Sequence, residues 1–282
     1  MSFKELSHAD VMSLLPDRDP DSHKGDYGKV LLLCGSIGYT GAPALAAMGA
    51  LRVGAGLVYV GVPESIYQIE AIKMTEPIVL PLPRQAGTFS SEAIDDIKVL
   101  LQNKDALLIG PGIGRSFGAS AVTEYVLKNF TGTVVLDADG INCMCAHKDI
   151  LRGRTGNTIL TPHEGEFSRL TGKPITDRVM EAKELALDLG VIIVLKGHRT
   201  VITDGKTVCL NTTGNPGMAV GGSGDILAGM ITGLVGQGIP VLEAAAAAVW
   251  LHGAAGDVCA DEIGQYGMIP TDLLNVIPRL MK

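Results

Sequence analysis

Short runs of Val, Ile, Leu and Ala alternate along this chain with longer stretches whose apolar residues recur at helical spacing. Residues 30–33, 57–60, 78–80, 106–109, 134–136, 159–160 and 191–195 are nearly uninterrupted apolar runs, which predicts strands buried on both faces. Between several of them, 43–53, 91–101, 119–128 and 178–189 read as helices. Parallel neighbours need a crossover, so this alternation predicts a mostly parallel sheet covered by helices on both sides. After Leu195 the pattern changes. Residues 200–203 and 207–210 flank Asp204-Gly205, a tight hairpin signal, and 226–234, 242–258 and 271–281 follow as helices. Five consecutive alanines, 244–248, favour a helix that packs closely, against the core or against a second copy. The expectation is one domain over residues 1–282, an α/β three-layer fold with a β-hairpin near the edge of its sheet.

Composition narrows the function. With 46% hydrophobic residues the chain has enough apolar material for a large core, which excludes disorder. Glycine accounts for 36 of 282 residues, nearly twice the usual share of about 7%, without the three-residue period of collagen. The net charge is −7, from 23 basic and 30 acidic residues, and no Lys/Arg cluster forms a footprint for nucleic acid. A small anion held by backbone N–H groups is compatible with that charge. Mean hydropathy is high at +0.29. Yet the longest apolar run, 244–251, is far short of the roughly 20 residues a bilayer span needs, and residues 1–5 lack the apolar centre of a leader peptide. The expected location is cytoplasmic, away from membranes. Of five cysteines only Cys143 and Cys145 are close together, a pattern that fits buried thiols better than a metal site.

The densest chemical signal is Asn215-Pro216-Gly217-Met218-Ala219-Val220-Gly221-Gly222-Ser223-Gly224-Asp225, running into a helix. Glycines there let successive N–H groups converge at the positive end of a helix dipole, an arrangement that suits a phosphate. Asp225 then falls in the first helical turn, as a proton acceptor beside that phosphate or as a plain helix cap. Competing motifs are missing. The chain has no G-x-x-x-x-G-K-[ST], no G-x-G-x-x-G after a strand and no H-E-x-x-H.

Three further strand exits carry polar residues. Thr161-Pro162-His163-Glu164-Gly165-Glu166 offers an imidazole and two carboxylates for a ligand, a metal-bound water or a helix start. Lys196-Gly197-His198-Arg199-Thr200 groups donors that suit a nucleotide or a solvated turn, and Asp137-Ala138-Asp139 reads as a cap or as an anchor for a magnesium-bound water. Pooled, these exits suggest one site along one edge of the sheet.

Taken in order, Ser22-His23-Lys24-Gly25, Gly38-x-x-Gly41-Ala42-Pro43, Gly110-Pro111-Gly112-Ile113-Gly114, Asp137-Ala138-Asp139, Thr161-Pro162-His163-x-Gly165-Glu166, Lys196-Gly197 and the loop ending in Asp225 resemble the ADP-dependent NAD(P)H-hydrate dehydratases of the ribokinase-like superfamily. The resemblance runs from about Ser22 to Ile277 and is carried by the ordered set, since each motif alone is weak. It implies a ribokinase-like fold and repair of hydrated NADH or NADPH, with ADP as co-substrate, Mg²⁺ as cofactor, and AMP and phosphate as products. By resemblance Ala42, Gly112 and His163 contact the hydrate. Lys196, Gly197, His198, Arg199, Thr200, Asn215, Gly221, Gly222, Ser223 and Gly224 contact the nucleotide, and Asp225 is the catalytic aspartate that also touches substrate. It further implies a homotetramer working beside a separate NAD(P)H-hydrate epimerase, in a stand-alone chain without an N-terminal epimerase domain. A small-molecule kinase of the same superfamily, acting on a vitamin precursor, is the alternative, and a non-catalytic adenine-nucleotide sensor is a third reading.

Overall fold

The computed structural model describes residues 5–282; Met1 to Lys4, where most of the leader reading fell, lie outside them. The first half contains α1 (His8–Leu14), β1 (Lys29–Leu33), α2 (Gly41–Arg52), β2 (Leu57–Pro63), α3 (Glu64–Lys73), β3 (Ile78–Leu82), β4 (Arg84–Gln85), β5 (Thr88–Phe89), α4 (Ala93–Leu100), β6 (Ala106–Ile109) and α5 (Phe117–Asn129). Then come β7 (Thr133–Leu136), α6 (Asp139–Met144), α7 (Asp149–Arg152), β8 (Thr158–Leu160), α8 (Glu164–Thr171), α9 (Arg178–Leu189) and β9 (Ile192–Leu195). The antiparallel pair β10 (Val201–Thr203) and β11 (Val208–Leu210) leads to α10 (Ser223–Gly236), α11 (Val241–Glu262) and α12 (Pro270–Leu280).

Among the described residues, nine strands form one sheet in the order β11-β10-β9-β8-β7-β6-β1-β2-β3. Neighbours from β3 through β9 are parallel, while β10 and β11 close that edge antiparallel. Successive residues of β1 serve different cores: Val30 and Leu32 belong to one, Leu31 and Leu33 to the other. Both faces of the central strands are therefore apolar, which is why they read as unbroken runs rather than alternating ones. Residues of α2, α10, α11 and α12 fill the first core, and residues of α4, α5, α8 and α9 fill the second. The result is the ribokinase-like three-layer architecture that the sequence led us to expect.

Helices α2 and α10 meet backbone to backbone. A Cβ added at Gly229 would lie 1.9 Å from the Ala46 carbonyl oxygen, and one at Gly49 would lie 2.4 Å from that of Ile226. Only glycine permits such an approach, and it ties together the two helices whose N-terminal ends carry Ala42 and Asp225.

The structure departs from the sequence expectation at β3 and α3. Residues 78–80 lie in β3 at the sheet's edge, so Ile78 is 39% exposed instead of buried. The helix α3 was not legible because its fully buried positions are Ile66 and the charged Glu70, while Ile69 and Ile72 face solvent. Of the two uses expected for alanines 244–248, the chain's own core takes them. No helix among the described residues is long and apolar enough to cross a membrane.

Candidate functional site

Strand β1 sits between β2 and β6, so the chain leaves it toward one side and later returns on the other. In an open parallel sheet that reversal opens a crevice at the carboxyl ends of the strands. Here the two exits are stitched together. The N–H of Gly35 donates to the carbonyl of Pro111 at 2.8 Å, and Ser36 Oγ donates to the carbonyl of Gly112 at 2.7 Å. Gly112 has φ +68°, and a Cβ there would stand 2.8 Å from Tyr39 Cβ and 3.3 Å from Ala42 Cβ. Ala42 and Gly112 are thus neighbours across the crevice, with no room for a side chain between them.

The next three exits converge on one buried carboxylate. Asp137, just past β7, is 1% exposed. Its Oδ1 accepts 2.7 Å bonds from Thr161 Oγ1, past β8, and from Lys196 Nζ, past β9. Burial opposes the Lys196 charge, but Asp137, Glu166 and Asp225 around it outweigh that and hold its pKa above the ordinary lysine value. Asp139 goes elsewhere. Ala138 takes φ +49°, which turns the chain so that Asp139 accepts from the Gly114 N–H at 3.1 Å and pairs with Arg115 at 3.0 Å. The two acids of Asp137-Ala138-Asp139 therefore do not share a site.

His163 caps α8: its Nδ1 accepts from the N–H groups of Gly165 at 2.9 Å and Glu166 at 3.3 Å. That leaves Nε2 to carry the proton, 3.4 Å from Glu166 Oε1 on an exposed ring.

The glycine loop closes the far side. Gly222 adopts φ +98°, a conformation L side chains rarely take, and a Cβ there would meet Leu45 at 2.6 Å. It starts α10, whose first-turn N–H groups have no intrahelical acceptor; that of Ser223 donates to the Val220 carbonyl at 3.3 Å, which leaves those of Gly224 and Asp225. Ser223 Oγ lies 3.3 Å from Nε2 of the buried His252. Burial lowers the His252 pKa to about 4, so the imidazole is neutral at physiological pH. A Cβ at Gly224 would be 3.3 Å from Lys196 Nζ, which places the loop directly against the β9 exit. Asp225 is half-buried at that contact, and its carboxylate has no hydrogen bond among the described residues. Burial, then repulsion from Asp137, push its pKa up to about 7 against the pull of Lys196. A carboxylate so poised is an effective proton acceptor near neutral pH.

The remaining candidates lie on two loops. Thr200 Oγ1 donates to the Gly197 carbonyl at 3.0 Å, closing the turn after Lys196. Arg199 is held open at φ +55°, with its guanidinium 3.8 Å from Glu5. Asn215 accepts from the Gly217 N–H at 3.0 Å and donates to Asp257 at 3.0 Å. Sequence reasoning missed the partners behind these loops. Arg178 donates to the carbonyls of Leu195, Lys196 and His198, and Asp257 holds the start of the glycine loop. Neither has a motif of its own. No group of three or more His, Cys, Asp or Glu among the described residues is placed to hold a metal ion. Asp137 is already bonded to Lys196 and Thr161, so among the described residues it belongs to no acidic cluster that would hold a resident Mg²⁺.

A family model described as NAD(P)H-hydrate dehydratase matches residues 30–279. The chain is 43% identical over 98% of its length to the bifunctional NAD(P)H-hydrate repair enzyme Nnr of Moorella thermoacetica, and it spans 53% of that relative. It therefore covers about half the length of such bifunctional relatives. The ADP-dependent (S)-NAD(P)H-hydrate dehydratase of Bacillus subtilis is 36% identical, with 96% of this chain and 95% of the relative covered. A crystal structure of the ADP/ATP-dependent NAD(P)H-hydrate dehydratase from Bacillus subtilis, co-crystallised with ATP/Mg²⁺, matches at TM-score 0.85 and 33% identity, covering 99% of this chain and 98% of that one. The hydroxyethylthiazole kinase of Pyrococcus horikoshii, at 15% identity and TM-score 0.63, shares the fold alone.

Proposed function

The chain belongs to the NAD(P)H-hydrate dehydratase family, and we propose that it uses ADP to dehydrate the S form of hydrated NADH or NADPH, with Asp225 as the base. One observation carries the assignment of roles: the Asp225 carboxylate, without a hydrogen bond among the described residues, stands at the start of α10 beside the glycine loop and the Lys196–Asp137 pair, with its pKa raised to about 7.

In this reading the hydrated nicotinamide enters the crevice beside Ala42 and Gly112, with His163 at its rim. The nucleotide lies along Lys196, Gly197, His198, Arg199 and Thr200 and under Asn215, Gly221, Gly222, Ser223 and Gly224. Asp225 takes the proton of the C6 hydroxyl, and the freed oxygen forms a bond to the terminal phosphorus of ADP as the bond to AMP breaks. N–H groups at the start of α10 receive the developing phosphoryl charge. The C6–O bond then breaks, pushed by the ring-nitrogen lone pair. Phosphate leaves, and loss of the C5 proton restores the double bond. Alignment of the two reactants supplies the largest share of rate, on the order of 7–11 kcal/mol for well-oriented groups. Mg²⁺ is proposed to arrive on the nucleotide phosphates, where it would neutralise their charge. An NAD(P)H-hydrate epimerase, on the same or another chain, would supply the S form.

The test is direct. The S hydrate of NADH, incubated with the protein, ADP and Mg²⁺, should recover NADH absorbance and release AMP and phosphate in equal amounts. No recovery overturns the reading, and accumulation of a stable phosphorylated product would turn it into a kinase.

A further inference from the structure

The first half of the glycine loop packs on α11, which supplies one side chain that bonds it. Helix α11 approaches the loop at two glycines. A Cβ at Gly253 would lie 2.2 Å from Thr213 Oγ1, and one at Gly256 would lie 2.2 Å from Met218 Sδ. One turn of helix therefore lies flush against both ends of the segment from Thr213 to Met218. Thr213 Oγ1 donates to the Trp250 carbonyl at 2.9 Å on the same helix. Next to the second contact, and one turn past the first, stands Asp257. Its Oδ2 accepts the Gly214 N–H at 2.8 Å, and its Oδ1 accepts Asn215 Nδ2 at 3.0 Å. One carboxylate thus grips a backbone donor and the adjacent side-chain amide. Gripped in this way, Asn215 keeps its own Oδ1 turned to the Gly217 N–H at 3.0 Å, which shapes the short 3₁₀ turn Pro216–Met218.

We propose that Asp257 is a positioning residue for the nucleotide: acting through Gly214 and Asn215, it sets the loop in its binding shape without touching the reacting atoms. The inference rests on the nucleotide lying along this loop, as proposed above. Both Asp257 partners are donors. An amide in its place keeps one acceptor and sets an NH₂ group against the other donor, while a carboxylate satisfies both. The loop then spends part of its time in shapes that do not bind, and apparent affinity for nucleotide falls by the fraction lost.

The test compares wild type, D257N, D257A, D257E and, as a control one turn along the helix, D261N. Each is assayed for turnover of the S hydrate with ADP varied and then with the hydrate varied. For D257N the KM for ADP should rise about tenfold, the effect of losing one charge-assisted hydrogen bond, and for D257A further still. The KM for hydrate and kcat at saturating ADP should change by less than about twofold. D257E, which retains a carboxylate, should recover part of the loss, and D261N should behave as wild type. A D257N enzyme with an unchanged KM for ADP, or one that loses kcat and both KM values together, overturns the positioning role. Absence of turnover in the wild type would instead overturn the functional reading on which it rests.

Discussion

Lys196 Nζ donates to Asp137 Oδ1 at 2.7 Å, and the nearby Asp225 carboxylate has no hydrogen bond among the described residues. Had the ammonium turned to Asp225, that group would be a stabilised anion and a poor proton acceptor. The pair also satisfies a charge that is only 1% exposed to solvent. Removing one partner of a buried pair leaves the other charge stranded. K196M should therefore lower stability by about 3–5 kcal/mol, and adding D137N to it should restore most of the loss, because a neutral amide tolerates burial far better. Urea denaturation of wild type, both single variants and the double variant measures the coupling. Additive losses would mean that the pair contributes no mutual stabilisation.

Asp137 also raises the pKa of Asp225, second only to burial. In D137N that repulsion disappears and Lys196 is free to turn toward Asp225, so both changes lower the Asp225 pKa. The acid limb of kcat/KM for the hydrate, expected near the value of about 7 for Asp225, should then move down by about one unit. A pH profile at saturating ADP reads it. A limb that does not move would show that another group sets the acid side of the profile.

The same raised pKa makes the fold pH-dependent without substrate. The folded chain holds the Asp225 proton up to about pH 7, whereas the unfolded carboxyl releases it near 3.8. Between those values the folded state binds more protons, so this group's contribution to stability falls as pH rises, and the full cost is present above about 7. D225N removes the cost. At pH 8 the ligand-free variant should be more stable than wild type by on the order of 1–3 kcal/mol, and near pH 4 the two should converge. The same variant should have lost turnover, since an amide does not accept the proton. Thermal melts across that pH range decide it; equal stability at pH 8 would mean that Asp225 is solvated like a surface acid.

Much of the architecture was legible because burial on both faces leaves a local signature: four unbroken apolar residues in a row, as in β6, report a central strand of a covered sheet. An edge strand does not, and the three apolar residues 78–80 of β3 look the same as a central strand's. The glycine loop was legible for a similar local cause, its density of glycines before a helix. What escaped were relations between distant segments. Lys196 and Asp137 are 59 residues apart, Asp257 and Gly214 are 43 apart, and each of these residues is unremarkable where it stands. Asp137-Ala138-Asp139 misled by looking like a pair. A positive φ at Ala138 sends its two acids in different directions, and no alternation of residue types encodes that.

Gly229 shows how packing far from the chemistry sets its geometry. Helices α2 and α10 carry Ala42 and Asp225 at their N-terminal ends, and their separation is fixed where Gly229 faces Ala46. In G229A the new methyl would meet the Ala46 carbonyl oxygen at 1.9 Å, against backbone that has no rotamer to change. The helices must separate, so stability should fall by about 3 kcal/mol or more, as for overpacking at the severe end. Because they carry the two halves of the proposed site, turnover should fall too. Displacements of an ångström in such an arrangement cost on the order of a hundredfold in rate. Denaturant unfolding, paired with assays at a temperature where the variant remains folded, separates the two effects. A folded G229A enzyme with wild-type kcat would show that the site tolerates movement between α2 and α10.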